Sequence, residues 1–179
     1  STLVYEAYAK RWDGTDWVSL GGLINNPVGD DTYAKGVVLD NSDRPVILLT
    51  YKTIVGNSIR FDSRAMQWDG SSWTQLGGSF SDAWGYHMAK DPAGAPIFVA
   101  EFGLSLGAVK WNASNSAWDP IGGVSFPSIG TVKSAEIAYT GSGAPVIVFD
   151  TEAALTTYVN INTVVNGNWV QLISGVPFD

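Results

Sequence analysis

The chain has 179 residues, 45% of them hydrophobic, enough for one domain with a buried core. Ten Lys and Arg against 17 Asp and Glu leave a formal net charge of -7 with no basic run, which argues against nucleic acid and anionic membrane as partners. The absence of cysteine excludes a disulfide framework and a thiolate metal site, and no apolar run approaches the ~20 residues needed to span a bilayer.

Residues 3–12 read as a strand long enough to be a whole sheet member. Asp13-Gly14 turns the chain and Trp17-Val18-Ser19-Leu20 returns it, a hairpin closed by Gly21-Gly22. The pattern comes back at Trp68-Asp69-Gly70, Trp73, Leu76-Gly77-Gly78, and again at Trp111, Trp118, Ile121-Gly122-Gly123 with a longer turn. A fainter copy keeps Asn166-Gly167, Trp169 and Leu172, with Ile173-Ser174 in place of the glycine pair. The two tryptophans are expected to pack across the turn, and the glycines to let the chain leave the sheet where a side chain would obstruct it.

After a polar connection over residues 23–32, a second kind of hairpin appears. Val37-Val38-Leu39, a turn from Asp40 to Pro45 and Val46-Ile47-Leu48-Leu49 form its first copy. Its later copies centre on Asp91 to Pro96 and Thr140 to Pro145, each proline standing at the head of an apolar run. A strand's first position tolerates proline, and such runs are buried on both faces. Residues 52–63 read as a variable loop that lengthens the first of these units.

The unit therefore has four antiparallel strands, and no segment shows sustained helical periodicity. Repeats of this length predict an all-β fold, a β-propeller with four-stranded blades at about 33–78, 86–123 and 134–175 behind a half blade at 1–22. Three and a half blades leave the leading hairpin without its inner pair. The exposed edge and apolar face predict a larger propeller context or a homo-oligomer.

With both hairpins established, the pattern W-[DN]-G-x-x-W-x-x-L-G-G resembles tandem repeats of bacterial secreted and cell-surface β-propellers. More distantly it is similar to the tryptophan-rich propeller lectins. The resemblance implies an extracellular chain, secreted or on the cell surface. Low charge, 20 glycines and abundant Ser, Thr and Asn incline the same way, and an opening at Ser1-Thr2 without methionine reads as a mature or excised product. Asp13-Gly14-Thr15-Asp16-Trp17 also touches the Asp-box hairpin of sialidases, but the spacing is one residue shorter.

Catalysis finds little support, and no enzyme is expected. His87 is the single histidine, and Arg11, Arg44, Arg60 and Arg64 show no convergence in the sequence that would seat a substrate carboxylate. No spacing singles out a carboxylate pair. No cofactor is expected either. Asp30-Asp31 and Asp40-Asn41-Ser42-Asp43 are rich enough in oxygen for calcium, yet Asp at such positions more often bonds its own turn.

Trp84 stands outside the repeat, in what reads as a loop, Ser81-Asp82-Ala83-Trp84-Gly85-Tyr86-His87. An indole beside Asp82, Tyr86 and His87 suits a sugar, whose C–H face stacks while its hydroxyls bond polar tips; a plug over the channel mouth is the alternative. Asp31 with Tyr33, and Ser128 with Lys133, occupy the corresponding loops. The function expected is recognition of a glycan or other surface ligand, by lectin-like binding or adhesion. The alternative is a structural self-assembly module that closes its half blade with another subunit.

Overall fold

The computed structural model describes residues 4–24, 31–127, 130–153 and 156–178, and among them the fold is all-β. Fourteen strands form four antiparallel sheets, and no helix is present among the described residues. The first sheet pairs β1 (Lys10–Trp12) with β2 (Trp17–Ser19). The second runs β3 (Thr32–Leu39), β4 (Pro45–Val55), β5 (Ser58–Trp68) and β6 (Trp73–Gln75). The third holds β7 (Ala83–Lys90), β8 (Pro96–Phe102), β9 (Ser105–Asn112) and β10 (Ala117–Pro127). The fourth holds β11 (Thr131–Tyr139), β12 (Pro145–Ala153), β13 (Thr156–Val165) and β14 (Asn168–Phe178).

Local chemistry explains the hairpins. Asp13 and Asp69 accept backbone N–H bonds from the two residues that follow their glycines, all at 2.8 Å, and Gly14 and Gly70 take φ near 110°. In the faint copy Asn166 and Gly167 both have positive φ. Cross-strand pairing sets Trp12 opposite Trp17, Trp68 opposite Trp73, Trp111 opposite Trp118, and Val164 opposite Trp169. Pro45, Pro96 and Pro145 each open a strand, and Asp40, Asp91 and Thr140 brace the turn before it by accepting N–H bonds from Arg44, Ala95 and Ala144.

Successive sheets pack face to face in chain order. Alternate residues of one strand serve two interfaces: Ile97 and Val99 pack toward Ile147 and Phe149 of the fourth sheet, while Phe98 and Ala100 pack toward Val46 and Leu48 of the second. Ala7 and Ile24 cover Ile47, Leu49 and Met66. The outer ends of the first three sheets are stitched in the same way. Trp73 Nε1 donates to the Leu20 carbonyl and Trp118 Nε1 to the Leu76 carbonyl, both at 2.7 Å. The following glycine lies under the indoles: a Cβ on Gly77 would stand 2.9 Å from both Trp111 and Trp118. The glycine pair therefore gives room to the next sheet's tryptophans, as well as a change of chain direction.

Three expectations change. Residues 52–63 are an extension of the β4–β5 hairpin, turned at Gly56 (φ 61°), because Thr53-Ile54-Val55 on one strand and Ile59 on the other favour extended backbone up to the tip. The segment 81–87 is strand from Ala83 onward, after a tight turn in which Asp82 takes φ 51°. The leading strand is regular only at Lys10–Trp12; before it, the carbonyls of Tyr5, Ala7 and Ala9 accept from Thr32, Ile24 and Leu20 at irregular intervals.

Gly77→Ala is expected to lower stability by about 3 kcal/mol, because the new Cβ meets two indoles at a positive φ. Gly78→Ala, where a Cβ would meet nothing within 4 Å, should stay within about 0.5 kcal/mol, both read from urea unfolding midpoints.

Candidate functional site

At the end of the stack where β3 and β7 begin, aromatic rings cross from sheet to sheet. Tyr5 and Tyr33 meet at 5.1 Å between centroids and Phe61 and Trp84 at 4.7 Å, the second pair edge to face. Tyr33 joins the two pairs, 5.6 Å from Trp84 and 6.3 Å from Phe61. Tyr5 and Phe61 hold the same place before Trp12 and Trp68, so the contact repeats at successive interfaces. The ammonium of Lys35, half-buried, lies 3.8 Å over the Trp84 ring, and burial lowers its pKa.

The backbone that carries Trp84 is held by a buried polar knot. Thr50 Oγ1 and Ser63 Oγ are 2.9 Å apart, Gly85 N–H points to both hydroxyls, and Ser63 Oγ donates to the Ala83 carbonyl. A side chain at Gly85 would strike Leu48 Cδ2 at 2.8 Å, so only glycine lets the two sheets approach here.

Beside Trp84 a cavity of about 150 Å³ opens between the second and third sheets, lined by Ile59, Arg60, Phe61, Asp82, Trp84 and Glu101 among others. Asp62 supports it from behind. It accepts from Arg60 Nε at 2.7 Å, from Thr53 Oγ1 at 3.0 Å and from the Asp82 N–H at 2.8 Å, which fixes the turn that presents the Asp82 side chain. Burial alone would raise the Asp62 pKa, but these bonds and the guanidinium hold it below the usual carboxylate value. Glu101 accepts the Tyr86 hydroxyl at 3.0 Å, and that hydroxyl also reaches the Val132 carbonyl at 3.1 Å. Burial and then Glu101 raise the Tyr86 pKa, so it stays a neutral donor.

The structure divides the residues singled out in the sequence. Asp82 and Trp84 line the cavity, Tyr33 stacks beside Trp84, and Asp31 lies further along the same end, accepting from the Tyr5 N–H at 3.0 Å with Lys52 Nζ 3.8 Å away. Tyr86 reaches the cavity through Glu101 alone. His87 belongs to the next interface, its Nδ1 3.0 Å from Glu136 and 3.4 Å from the Ile137 N–H. Phe61, Glu101 and Lys35 stand outside the residues singled out in the sequence, where Arg60 figures only among four arginines without convergence. Repeat position could have found Phe61, which stands before Trp68 as Tyr5 stands before Trp12.

Of the calcium candidates, Asp40 is committed to its own turn, accepting from Ser42, Arg44 and Gln67, while Asp30 lies outside the described residues, as does Ser128. Among the described residues no three His, Cys, Asp or Glu side chains gather as a metal site would need. The Asn112 amide of the Asn112-Ala113-Ser114 sequon donates to Asp119 at 2.7 Å.

No protein-family model matches the chain, and no curated protein matches it. Among solved structures it is similar to a fucose lectin from Kordia zhangzhouensis in complex with methyl-fucoside. That likeness has 14% identity over 79% of this chain and 99% of the other, with a TM-score of 0.47, which is too low to transfer a fold or a ligand.

Asp40 and Asp62 carry folded-state pKa values below the ordinary 3.8. Their contribution to stability is complete above that value and disappears as pH falls through the lower, folded-state one. The urea midpoint is accordingly expected to drop as pH falls below about 4, and Asp62→Asn to flatten that decline.

Proposed function

We propose that the four sheets are blades of a β-propeller, a half blade at 1–22 followed by blades at about 33–78, 86–123 and 134–175, and that the chain is a non-enzymatic extracellular recognition module for carbohydrate. The single observation that carries the glycan reading is the cavity beside Trp84. There a guanidinium, the Asp82 and Glu101 carboxylates and two aromatic rings converge on one space of about 150 Å³. Carboxylates accept from sugar hydroxyls, Arg60 donates to them, and ring edges meet the C–H surface. A space this small fits one sugar ring gripped at its edge. Lys35 already covers one part of the indole, so the ligand enters between the sheets rather than stacking on a bare ring.

Support for the propeller reading comes from the repetition of one inter-sheet stitch, tryptophan N–H to leucine carbonyl over a glycine, which gives the second and third sheets the same relation to the sheet before. A second reading, a self-assembly module that closes its half blade with another subunit, is favoured by the first sheet's having two strands where the others have four.

A glycan array followed by calorimetry tests the glycan reading. Specific binding is expected, with Trp84→Ala and Glu101→Gln each weakening it by about tenfold or more while the folded spectrum is kept. A blank array from a well-folded sample would refute it.

A further inference from the structure

The hairpin on one side of the Trp84 cavity outreaches its counterpart on the other. β4 runs 11 residues from Pro45, whereas β8 runs 7 from Pro96, so the second sheet projects past the third by about 13 Å of extended chain. The sheets on both sides of this hairpin are among those described. Its projecting end has two unlike faces. Ile54 stands directly opposite Ile59, and strand alternation puts this pair on the face that carries Leu48, Thr50 and Phe61. That face is turned to the third sheet, where Thr50 meets Gly85 and Phe61 meets Trp84. The opposite face carries Thr53 and Arg60, both bonded to Asp62, and sets Val55 across from Ser58.

The apolar side of the projection is therefore the side of the cavity. One exposed isoleucine needs no explanation. Here two stand together, 66% and 62% exposed, at the mouth of a cavity that Ile59 itself lines. Gly103 lines the same cavity from the third sheet, and the residue after it, Leu104 at the β8–β9 turn, is 86% exposed.

These residues bear on what the cavity can hold, given the glycan reading on which the inference rests. A space of about 150 Å³ takes one sugar ring, so whatever carries that sugar leaves through the mouth, along Ile59 and Ile54. A continuing polysaccharide would bring hydroxyls against this wall, and two isoleucines offer them no hydrogen bond. An apolar group would instead take both isoleucines out of water. We infer that the site takes a single terminal sugar joined to an apolar alkyl or aryl aglycone, with Ile54 and Ile59 as the wall on which the aglycone lies. Insertion of the projection into a bilayer is disfavoured, because it would carry the Arg60–Asp62 ion pair toward the hydrocarbon.

The probes are the methyl and hexyl glycosides of glucose, galactose, mannose, fucose and N-acetylglucosamine, titrated by calorimetry. For a sugar that binds, the hexyl glycoside is expected to bind about tenfold tighter than the methyl one. Ile54→Thr keeps the β-branch that the strand favours, and should cut that ratio to about twofold while leaving methyl-glycoside affinity unchanged. Val55→Thr, on the other face, should change neither, and Trp84→Ala should weaken both. Equal affinity for the two glycosides, or a ratio that survives Ile54→Thr, overturns the inference while the glycan reading stands. Hexyl binding that Trp84→Ala leaves intact is adsorption of the alkyl chain alone and overturns it too. If no member of the panel binds, the inference falls, and the array alone decides the glycan reading. Flotation with sugar-free phosphatidylcholine vesicles covers the membrane alternative: co-flotation that Ile54→Thr and Val55→Thr both weaken would make the tip a bilayer contact and overturn the inference.

Discussion

The contact on which the stack depends is the seat of one sheet's tryptophans on the previous sheet's leucine and glycine. The indole N–H satisfies a carbonyl at the point where the outer strand ends, and the missing glycine side chain leaves space for the rings. Polar satisfaction and close packing meet in one place, so neither partner tolerates enlargement. The hairpin turn fixes the two tryptophans opposite each other, and the stitch then converts a local hairpin into an inter-sheet joint. In the fourth sheet Ile173 stands at the glycine's place, so that sheet keeps the leucine but not the seat.

The same regularity makes departures from it informative. Equivalent positions are buried in the middle of the stack and exposed at its beginning, and the difference follows from which neighbouring strands are present rather than from residue type. Val37 is as apolar as its buried counterparts. In the later sheets the inner strands of the sheet before cover that position, whereas Val37 faces the groove beside the first sheet.

The candidate glycan site uses different chemistry at a different place. One turn residue and two strand residues outside the tryptophan repeat supply its polar groups: Asp82 sits at a positive φ held by Asp62, Glu101 of β8 is oriented by Tyr86, and Arg60 lies on β5. The buried Thr50–Ser63–Gly85 knot fixes the backbone under Trp84, so a stretch that reads as a loop in the sequence is held as strand.

Strand order, the hairpin turns and the proline-led core strands were all legible in the sequence, because each rests on short-range rules: positive φ at glycine, a fixed proline φ, and apolar runs. So was the two-stranded first sheet, since counting hairpins requires no coordinates. The site was legible only in fragments. Trp84, Asp82 and Tyr33 stand out as residues beyond the repeat, but Arg60, Phe61 and Glu101 lie far from them along the chain and join them only when the second and third sheets pack. Tyr86 and His87 are neighbours of Trp84 in sequence, yet a bulge between Gly85 and His87 and the pleat of β7 send them toward the fourth sheet. Sequence by itself therefore determined the sheets, through interactions between residues close in the chain. Only the tertiary structure decided which side chains share a cavity, because that depends on the faces two separate sheets turn toward each other.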